Sequence, residues 1–312
     1  MARRTSLPVL TFKASAMRVR VPASAANLGP AFDAAGLALD WYDDMVAQVS
    51  DDPGIEVDMV GEGADDLPRD GKHLVAKAMM AAFERMGEKP AGLSILTNNT
   101  IPHGRGMGSS SAAIVGGIVL ARALVVGGEN LLPDDAALSL ASELEGHPDN
   151  VAATLLGGFT LAWGSGADAH AVRLDIDRSI FPIVCIPAGA VATKKARGLL
   201  PETVTHADAS FNAGRAALLT AALCENPDLL MVATEDKLHQ EQRSSAMKQS
   251  WALVQKLRDA GHAAVISGAG STVLVLATSN VSYEIAQIAG EKFETHAVGV
   301  AKQGAHVVPM TA

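Results

Sequence analysis

Residues 101–113 read IPHGRGMGSSSAA, and this stretch decides how the rest of the chain is interpreted. Glycine occupies every second position from Gly104 to Gly108, and three serines follow. Glycine accepts positive φ and carries no side chain to block a ligand. The next residues predict a helix from Ser109 to about Val126, whose first turn would carry unpaired N–H groups and a partial positive charge. The stretch is therefore typical of a phosphate site.

Two familiar phosphate loops do not fit this stretch. The Walker pattern requires a lysine after its last glycine, and none follows Gly108. The dinucleotide pattern requires a third glycine at position 109 or 111, and both positions are serine. The hydroxyls of Ser109 and Ser110 could bind a phosphate oxygen or Mg²⁺, which prefers oxygen ligands. On these residues alone, a plain glycine-rich loop before a buried helix is an open alternative.

Length and composition limit the class of protein. The 312 residues suit two domains at roughly 150 residues each. A formal charge of −9 argues against a nucleic-acid or anionic-membrane surface. The two cysteines give neither a disulfide framework nor a metal cluster, which favours a reducing cytoplasm. No apolar run reaches the roughly 18 residues of a membrane span. We therefore expect a cytoplasmic protein that binds neither nucleic acid nor membranes.

The hydrophobic pattern predicts a disordered tail over residues 1–16 and two domains, over residues 17–170 and 171–312. In the first domain the predicted strands are 17–22, 37–49, 54–60, 93–96 and 157–163, and the predicted helices are 74–86, 109–126 and 134–145. In the second domain the predicted strands are 181–186, 263–266, 273–276, 298–301 and 306–308, and the predicted helices are 207–224, 227–237, 251–260 and 283–293.

Two polar segments flank these elements. Residues 22–33 read PASAANLGPAFD, in which an asparagine can donate and accept hydrogen bonds and an aspartate can bind an ammonium group. Residues 146–151 read GHPDNV, and their proline must end the preceding helix because its ring clashes with the last turn. Glu143 or Glu145 could then bind Mg²⁺ opposite the serines. The alternatives are an Asx-stabilised loop, solvated glutamates and an exposed polar turn.

Taken together, these segments resemble the GHMP kinases, and within them the homoserine kinases. The resemblance rests on 102–112, on 22–33, on ELEGHPDNVA at 143–152, on the glycine turn at 267–272 and on two arginines, Arg197 and Arg243. It implies an α+β, two-domain GHMP kinase fold, with a ribosomal-protein-S5-like N-terminal domain and a ferredoxin-like C-terminal domain. It also implies ATP and Mg²⁺ as cofactors, L-homoserine as the small-molecule substrate, and a homodimer.

The resemblance assigns roles to named residues. The nucleotide would be bound by the residues of the glycine-rich loop and one histidine: Pro102, His103, Gly104, Arg105, Gly106, Met107, Gly108, Ser109, Ser110, Ser111 and His73. Ser110 and Glu143 would hold the metal. The amino-acid substrate would be bound by six polar residues: Asn27, Asp33, His147, Asn150, Arg197 and Arg243. Three of these are the candidate catalytic residues: Asn150, His147 and Arg197.

In this resemblance, Asn150 stands where mevalonate and galactose kinases place an aspartate proposed as a base. Phosphoryl transfer depends mostly on positioning and charge stabilisation, so we expect transfer without a protein base. Asp149 should not replace the base, because neighbouring residues of an extended segment point in opposite directions.

Three departures from the family pattern stand out. Ala31 replaces a common glycine and would be strained if its φ were positive. His73 replaces an asparagine near the adenine, and Gln242 replaces a tyrosine. Two alternatives stay open: a related kinase acting on another alcohol, such as a mevalonate-type substrate, and a non-catalytic nucleotide-binding regulator. A regulator should have lost metal or phosphate ligands, whereas Ser109, Ser110 and Glu143 are all present.

Overall fold

The computed structural model describes residues 10–189 and 196–310. Its strands are β1 Met17–Ala26, β2 Ala35–Ser50, β3 Gly54–Gly61, β4 Gly92–Asn99, β5 Phe159–Trp163, β6 His170–Leu174, β7 Phe181–Pro187, β8 Ala264–Ile266, β9 Val273–Ala277, β10 Phe293–Ala297 and β11 His306–Val308. Its α-helices are α1 Leu74–Met86, α2 Ser109–Leu124, α3 Gly128–Leu131, α4 Asp134–Glu145, α5 Asp149–Leu156, α6 His206–Cys224, α7 Leu230–Ala233, α8 Lys248–Asp259 and α9 Ser282–Ala289.

The first sheet has the order β11-β1-β2-β4-β3, and β5 and β6 extend it from β2. Strands β3 and β4 pair in parallel, and the other strand pairs are antiparallel. Helix α2 lies at the centre of this domain and is buried on nearly every side, as its unbroken run of small and aliphatic residues requires. Its first residue, Ser109, directly follows the glycine-rich loop, so the best-packed helix of the domain fixes that loop.

The second sheet is antiparallel and has the order β10-β7-β9-β8. Leu253, Val254 and Leu257 of α8 and Ile285 of α9 cover one side of it. The apolar face of α6 instead joins the core of the first domain through Leu219 and its neighbours. The core therefore continues from one domain into the other, which fixes the cleft between the two sheets.

The ends of the first domain differ from the predicted boundaries. Residues 1–9 of the predicted disordered tail lie outside the described residues. Leu10 is buried, Phe12 bridges Val125 and the Lys13 N–H donates to the Leu124 carbonyl, so the described part of that tail packs on the domain. Strand β6 continues the first sheet past the boundary predicted at residue 170, and β7 opens the second sheet. The end of the chain returns to pair β11 with β1. No helix among the described residues is long and apolar enough to cross a bilayer.

Candidate active site

The glycine-rich loop has the backbone geometry that its sequence predicts. Gly104, Gly106 and Gly108 have φ values of 67°, 83° and 70°. Gly108 is the N-cap of α2 and provides no side-chain cap. The N–H groups of the first turn of α2 therefore point towards the cleft without a side-chain acceptor, as an anion site requires. Met107 contributes only its backbone, because its side chain is buried in the core.

A turn from the second domain locks this loop. The Thr272 N–H donates to the Arg105 carbonyl at 2.9 Å, and the Ser267 hydroxyl donates to the Gly106 carbonyl at 2.5 Å. A Cβ on Gly270 would lie 2.2 Å from the Gly106 nitrogen, closer than any side chain tolerates. The glycine turn therefore has to lack side chains in order to pack on the phosphate loop.

A cavity of about 270 Å³ opens beside the first turn of α2. It is lined by apolar and polar residues: Asp43, Met45, Leu67, Pro68, Lys72, His73, Leu74, Val75, Asn99, His103, Ser109, Ser110 and Ala113. Burial raises the pKa of Asp43 to about 6, although its carboxylate accepts N–H bonds from Thr100 and Ile101 at 2.6 and 2.9 Å. A largely apolar cavity beside a phosphate loop can accept a flat base.

The carboxylate beside the serines belongs to Glu145. It accepts hydrogen bonds from the hydroxyls of Ser110 at 2.6 Å and Ser111 at 2.9 Å. Glu143 pairs instead with Arg85 at 2.9 Å. Residues two apart on a helix point about 200° apart, so only one of the two glutamates can face α2. The predicted ligand Glu143 therefore does not face Ser110, and the carboxylate that does is that of Glu145.

Oxygen donors of this kind suit magnesium. No cluster of three His, Cys, Asp or Glu side chains able to hold a metal occurs in the described parts of the chain. A single carboxylate with a hydroxyl nevertheless fits an ion that takes its other ligands from phosphates and water. Ser110 and Glu145 therefore have the chemistry required of a site completed by a bound nucleotide.

The segment after β1 holds strained backbone. Asn27, Leu28 and Asp33 have φ values of 68°, 47° and 55°, which non-glycine residues rarely adopt. The Asn27 amide stabilises this shape by donating to the Gly268 carbonyl and accepting from the Asp33 N–H, both at 2.9 Å. Ala31 is not among the residues with positive φ, so the condition under which it would be strained is not met. Strain of this kind is characteristic of ligand-binding segments.

Asp33 faces a guanidinium from the second domain. Arg197 donates to both of its carboxylate oxygens, at 2.7 and 2.8 Å. The ring of Phe32 lies beneath two guanidinium groups, 5.4 Å from that of Arg197 and 5.3 Å from that of Arg243. Contacts of this type are attractive between a cation and an aromatic ring. One carboxylate and two guanidinium groups therefore meet at a single point of the cleft.

Arg243 is buried and depends on His239, a residue to which the sequence analysis gave no role. Burial lowers the pKa of Arg243 to about 10 and that of His239 to about 4. The His239 Nε2 lies 2.6 Å from the Gly29 carbonyl, so it carries the hydrogen and donates. Its Nδ1 accepts from Arg243. A neutral histidine thus connects the strained loop to the buried arginine. Gln242 lies beside them and donates to the Lys237 carbonyl.

The segment predicted as an exposed loop after α4 is the start of α5 instead. Asp149 is only 2% exposed, and its Oδ1 accepts from His147 at 2.6 Å and from the Asn150 N–H at 2.8 Å. Burial alone would lower the pKa of His147, but the hydrogen bond and charge of Asp149 raise it above its usual value. Asn150 accepts from the hydroxyl of Ser24, another residue the sequence analysis missed.

One cleft collects most of the predicted residues. Its lining comprises Asn27, Phe32, Asp33, Gly104, Gly106, Gly108, Ser109, Ser110, Glu145, His147, Asp149, Asn150, Arg197, Arg243, Gly268, Ala269 and Gly270. Arg105 is not part of this lining, and its guanidinium donates to the Ala188 carbonyl at 3.1 Å. Lys194 and Lys195, which precede Arg197, lie outside the described residues. The cleft adjoins the base-sized cavity through Ser109 and Ser110, which line both.

Comparison with known proteins agrees with this architecture. The GHMP kinases N terminal domain matches residues 73–158, and the GHMP kinases C terminal domain matches 209–295. Homoserine kinase of Streptomyces avermitilis is 55% identical over 301 residues, covering 96% of this chain and 98% of that protein. Homoserine kinase of Clavibacter michiganensis is 49% identical over 260 residues, covering 83% and 82%.

A solved structure supports the same assignment. The crystal structure of homoserine kinase from Cytophaga hutchinsonii superposes with a TM-score of 0.80 at 28% identity, covering 97% of this chain and all of that chain. The predicted two-domain GHMP kinase fold is confirmed. The chain belongs to the GHMP kinase family, and within it to the homoserine kinases.

Proposed function

We propose that the protein transfers the γ-phosphoryl group of ATP to the side-chain hydroxyl of L-homoserine, producing ADP and O-phospho-L-homoserine on the route to threonine. The observation that carries this proposal is the meeting of Asp33 with Arg197 and Arg243 at the edge of the phosphate loop. A carboxylate and two guanidinium groups match the ammonium and carboxylate of an α-amino acid. The names of the most similar relatives support the same substrate.

The nucleotide would bind across the two adjoining cavities. Backbone N–H groups from Gly104 to Ser110 and the start of α2 would hold the triphosphate, and the base would enter the cavity lined by His73. Ser110 and Glu145 would hold Mg²⁺, which neutralises charge on the β- and γ-phosphates. A metal bound here would explain why the Ser110 hydroxyl of α2 lies against the Glu145 carboxylate of α4.

The substrate would be held at both charged ends, with its hydroxyl towards the phosphate loop. Arg197 and Arg243 would bind its carboxylate, and Asp33 its ammonium group. His147 and the Nδ2 hydrogens of Asn150 would donate to oxygens of the transferring group. Holding reactants in line can supply most of the rate enhancement of phosphoryl transfer. We expect the hydroxyl proton to pass to a phosphate oxygen, because Asp149, which lines the cleft, is buried and its Oδ1 already accepts two hydrogen bonds.

A coupled ADP-release assay tests the proposal. The purified protein is given Mg-ATP with L-homoserine, L-threonine, mevalonate or galactose in turn. We expect strong turnover with L-homoserine and little with the others, since mevalonate and galactose lack an ammonium group. Turnover of mevalonate or galactose instead, or ATP binding without any turnover, would refute the proposal in favour of another alcohol or a regulatory role.

The cytoplasmic location, expected from the composition, and the homodimer, implied by the family resemblance, stay predictions. Fractionation of cells and analytical ultracentrifugation of the purified protein would test them. A monomer at micromolar concentration would contradict the predicted homodimer.

A further inference from the structure

His73 holds its imidazole in one defined tautomer. It is the N-cap of α1, and its Nδ1 accepts a hydrogen bond from the Val75 N–H at 3.3 Å. An imidazole nitrogen that accepts a hydrogen bond carries no hydrogen, so the hydrogen of the neutral ring lies on Nε2. Burial, with a smaller contribution from His103, lowers the pKa of His73 and keeps the ring neutral. The side chain can therefore only donate at Nε2.

That donor has no partner. The side chain is 3% exposed, and its Nε2 finds no hydrogen-bond acceptor among the described residues. A buried donor without an acceptor destabilises the fold, so such groups are rare unless a ligand completes them. Two other polar residues of the same cavity are already engaged: Asp43 by backbone N–H groups and Asn99 by the Glu62 carbonyl. His73 is thus a cavity-lining donor in need of an acceptor.

The rings of a purine carry such acceptors. The ring nitrogens N1, N3 and N7 of adenine accept hydrogen bonds, whereas its 6-amino group only donates. We propose that His73 donates from Nε2 to one ring nitrogen of the nucleotide base and so selects the edge of the purine that enters the cavity. The proposal rests on the nucleotide site of the proposed function. An asparagine at this position could donate or accept, whereas neutral His73 cannot accept at Nε2.

Calorimetric titration with ADP analogues tests this without turnover. The dissociation constants of ADP, 1-deaza-ADP, 3-deaza-ADP and 7-deaza-ADP are measured for the unmodified protein. We expect one analogue to bind about three- to tenfold more weakly than ADP, the effect of one neutral hydrogen bond. In His73→Leu the same analogue should bind as well as ADP, and in His73→Asn, which retains both a donor and a capping oxygen, the preference should persist.

The ratio of analogue to ADP isolates the base contact, because loss of the helix cap in His73→Leu weakens binding of every nucleotide equally. Three analogues binding within about twofold of ADP to the unmodified protein would overturn the proposal, since this is less than one hydrogen bond. Discrimination that survives in His73→Leu would also overturn it. Absence of any ADP binding would refute the proposed function as well, whereas analogue discrimination without homoserine turnover would refute the proposed function alone.

Discussion

Asp33 and Arg197, which are 164 positions apart in sequence, form a two-bond ion pair across the cleft between the domains. Their side chains are 33% and 42% exposed, so the pair itself contributes about 1 kcal/mol at most. In the proposed complex each partner would bind the opposite end of the substrate. A zwitterionic substrate would replace the Asp33–Arg197 pair with two pairs, Asp33 with its ammonium group and Arg197 with its carboxylate. A ligand with a single charge would leave either Asp33 or Arg197 without a partner.

Asp33→Asn should therefore change which substrates are tolerated. We expect kcat/KM for L-homoserine to fall by about 10- to 100-fold through loss of a charged hydrogen bond. The analogue 4-hydroxybutyrate, which lacks the ammonium group, should gain relative to homoserine because Arg197 is then free to bind its carboxylate. Steady-state kinetics with both alcohols measure the ratio. As a control, Asp58→Asn removes an exposed ion pair with Arg69 and should leave the ratio of kcat/KM for the two alcohols unchanged. If kcat/KM falls equally for both alcohols in Asp33→Asn, the substrate does not exchange the Asp33–Arg197 pair for two pairs of its own.

The two glutamates at the end of α4 provide a matched comparison. Glu145→Gln should raise the Mg²⁺ concentration required for half-maximal activity by about 10- to 100-fold, because a charged ligand beside Ser110 is lost. Glu143→Gln removes only a surface pair with Arg85 and should change stability by about 1 kcal/mol or less. Activity titrated against Mg²⁺ distinguishes them. If Glu143→Gln raised the Mg²⁺ requirement more than Glu145→Gln, Glu143 would be the metal ligand.

Sequence reasoning succeeded where periodicity and breakers agree. Helices α1 and α4 have the predicted ends because apolar spacing runs up to Gly87 and Gly146, which cap them. Sequence reasoning failed at α5, where Pro148, Asp149 and Asn150 suggested a loop. Proline also suits the start of a helix, and here it precedes one. Strands β6 and β10 were missed and the helix predicted over 283–293 ends at Ala289, because short half-exposed strands carry little pattern.

The candidate site divides in a similar way. Motifs singled out the glycine-rich loop, the segment after β1 and both arginines, which the structure brings to one cleft, since each motif depends on residues close together in the chain. They could not choose between Glu143 and Glu145, because that choice depends on the helix face packed against α2. They also gave no role to His239, whose partners Gly29 and Arg243 meet only after folding.

Gly270→Ala should disrupt the phosphate loop without touching a ligand directly. Its Cβ would lie 2.2 Å from the Gly106 nitrogen, so the turn or the loop must move. We expect a loss of stability of about 1–3 kcal/mol, as for other overpacked sites, together with weaker ADP binding. Gly214→Ala, in the open on α6, should instead stabilise the protein by about 0.5–1 kcal/mol. Chemical denaturation and calorimetry provide both readouts, and equal effects of the two variants would contradict the packing argument.

His239 predicts a pH dependence of stability. Its pKa of about 4 in the folded protein lies below its usual 6.5, so the unfolded chain binds more protons between these values. Stability from this residue is complete above about pH 6.5 and is lost as pH falls towards 4, by at most about 1.4 kcal/mol per pH unit. His239→Gln should flatten this part of the curve of unfolding free energy against pH. Since glutamine can still donate to Gly29, an unchanged slope would show that another group titrates.

Asp149→Asn tests transfer without a protein base. A general base contributes about 10²- to 10⁴-fold, whereas loss of positioning alone should cost kcat up to about 10²-fold. We expect a fall within this positioning range at saturating Mg-ATP and homoserine, with no ionisation lost from the pH–rate profile.

The same substitution carries its own control, because Asp149 raises the pKa of His147. That pair stabilises the fold below about pH 6.5 and loses its effect as pH rises through the raised pKa. The variant should therefore lose more stability at pH 6 than at pH 9. If this loss is seen and kcat falls within the positioning range, Asp149 holds His147 and Asn150 in place. An essential ionisation that disappears only in Asp149→Asn, with a much larger fall in kcat, would instead make Asp149 the base.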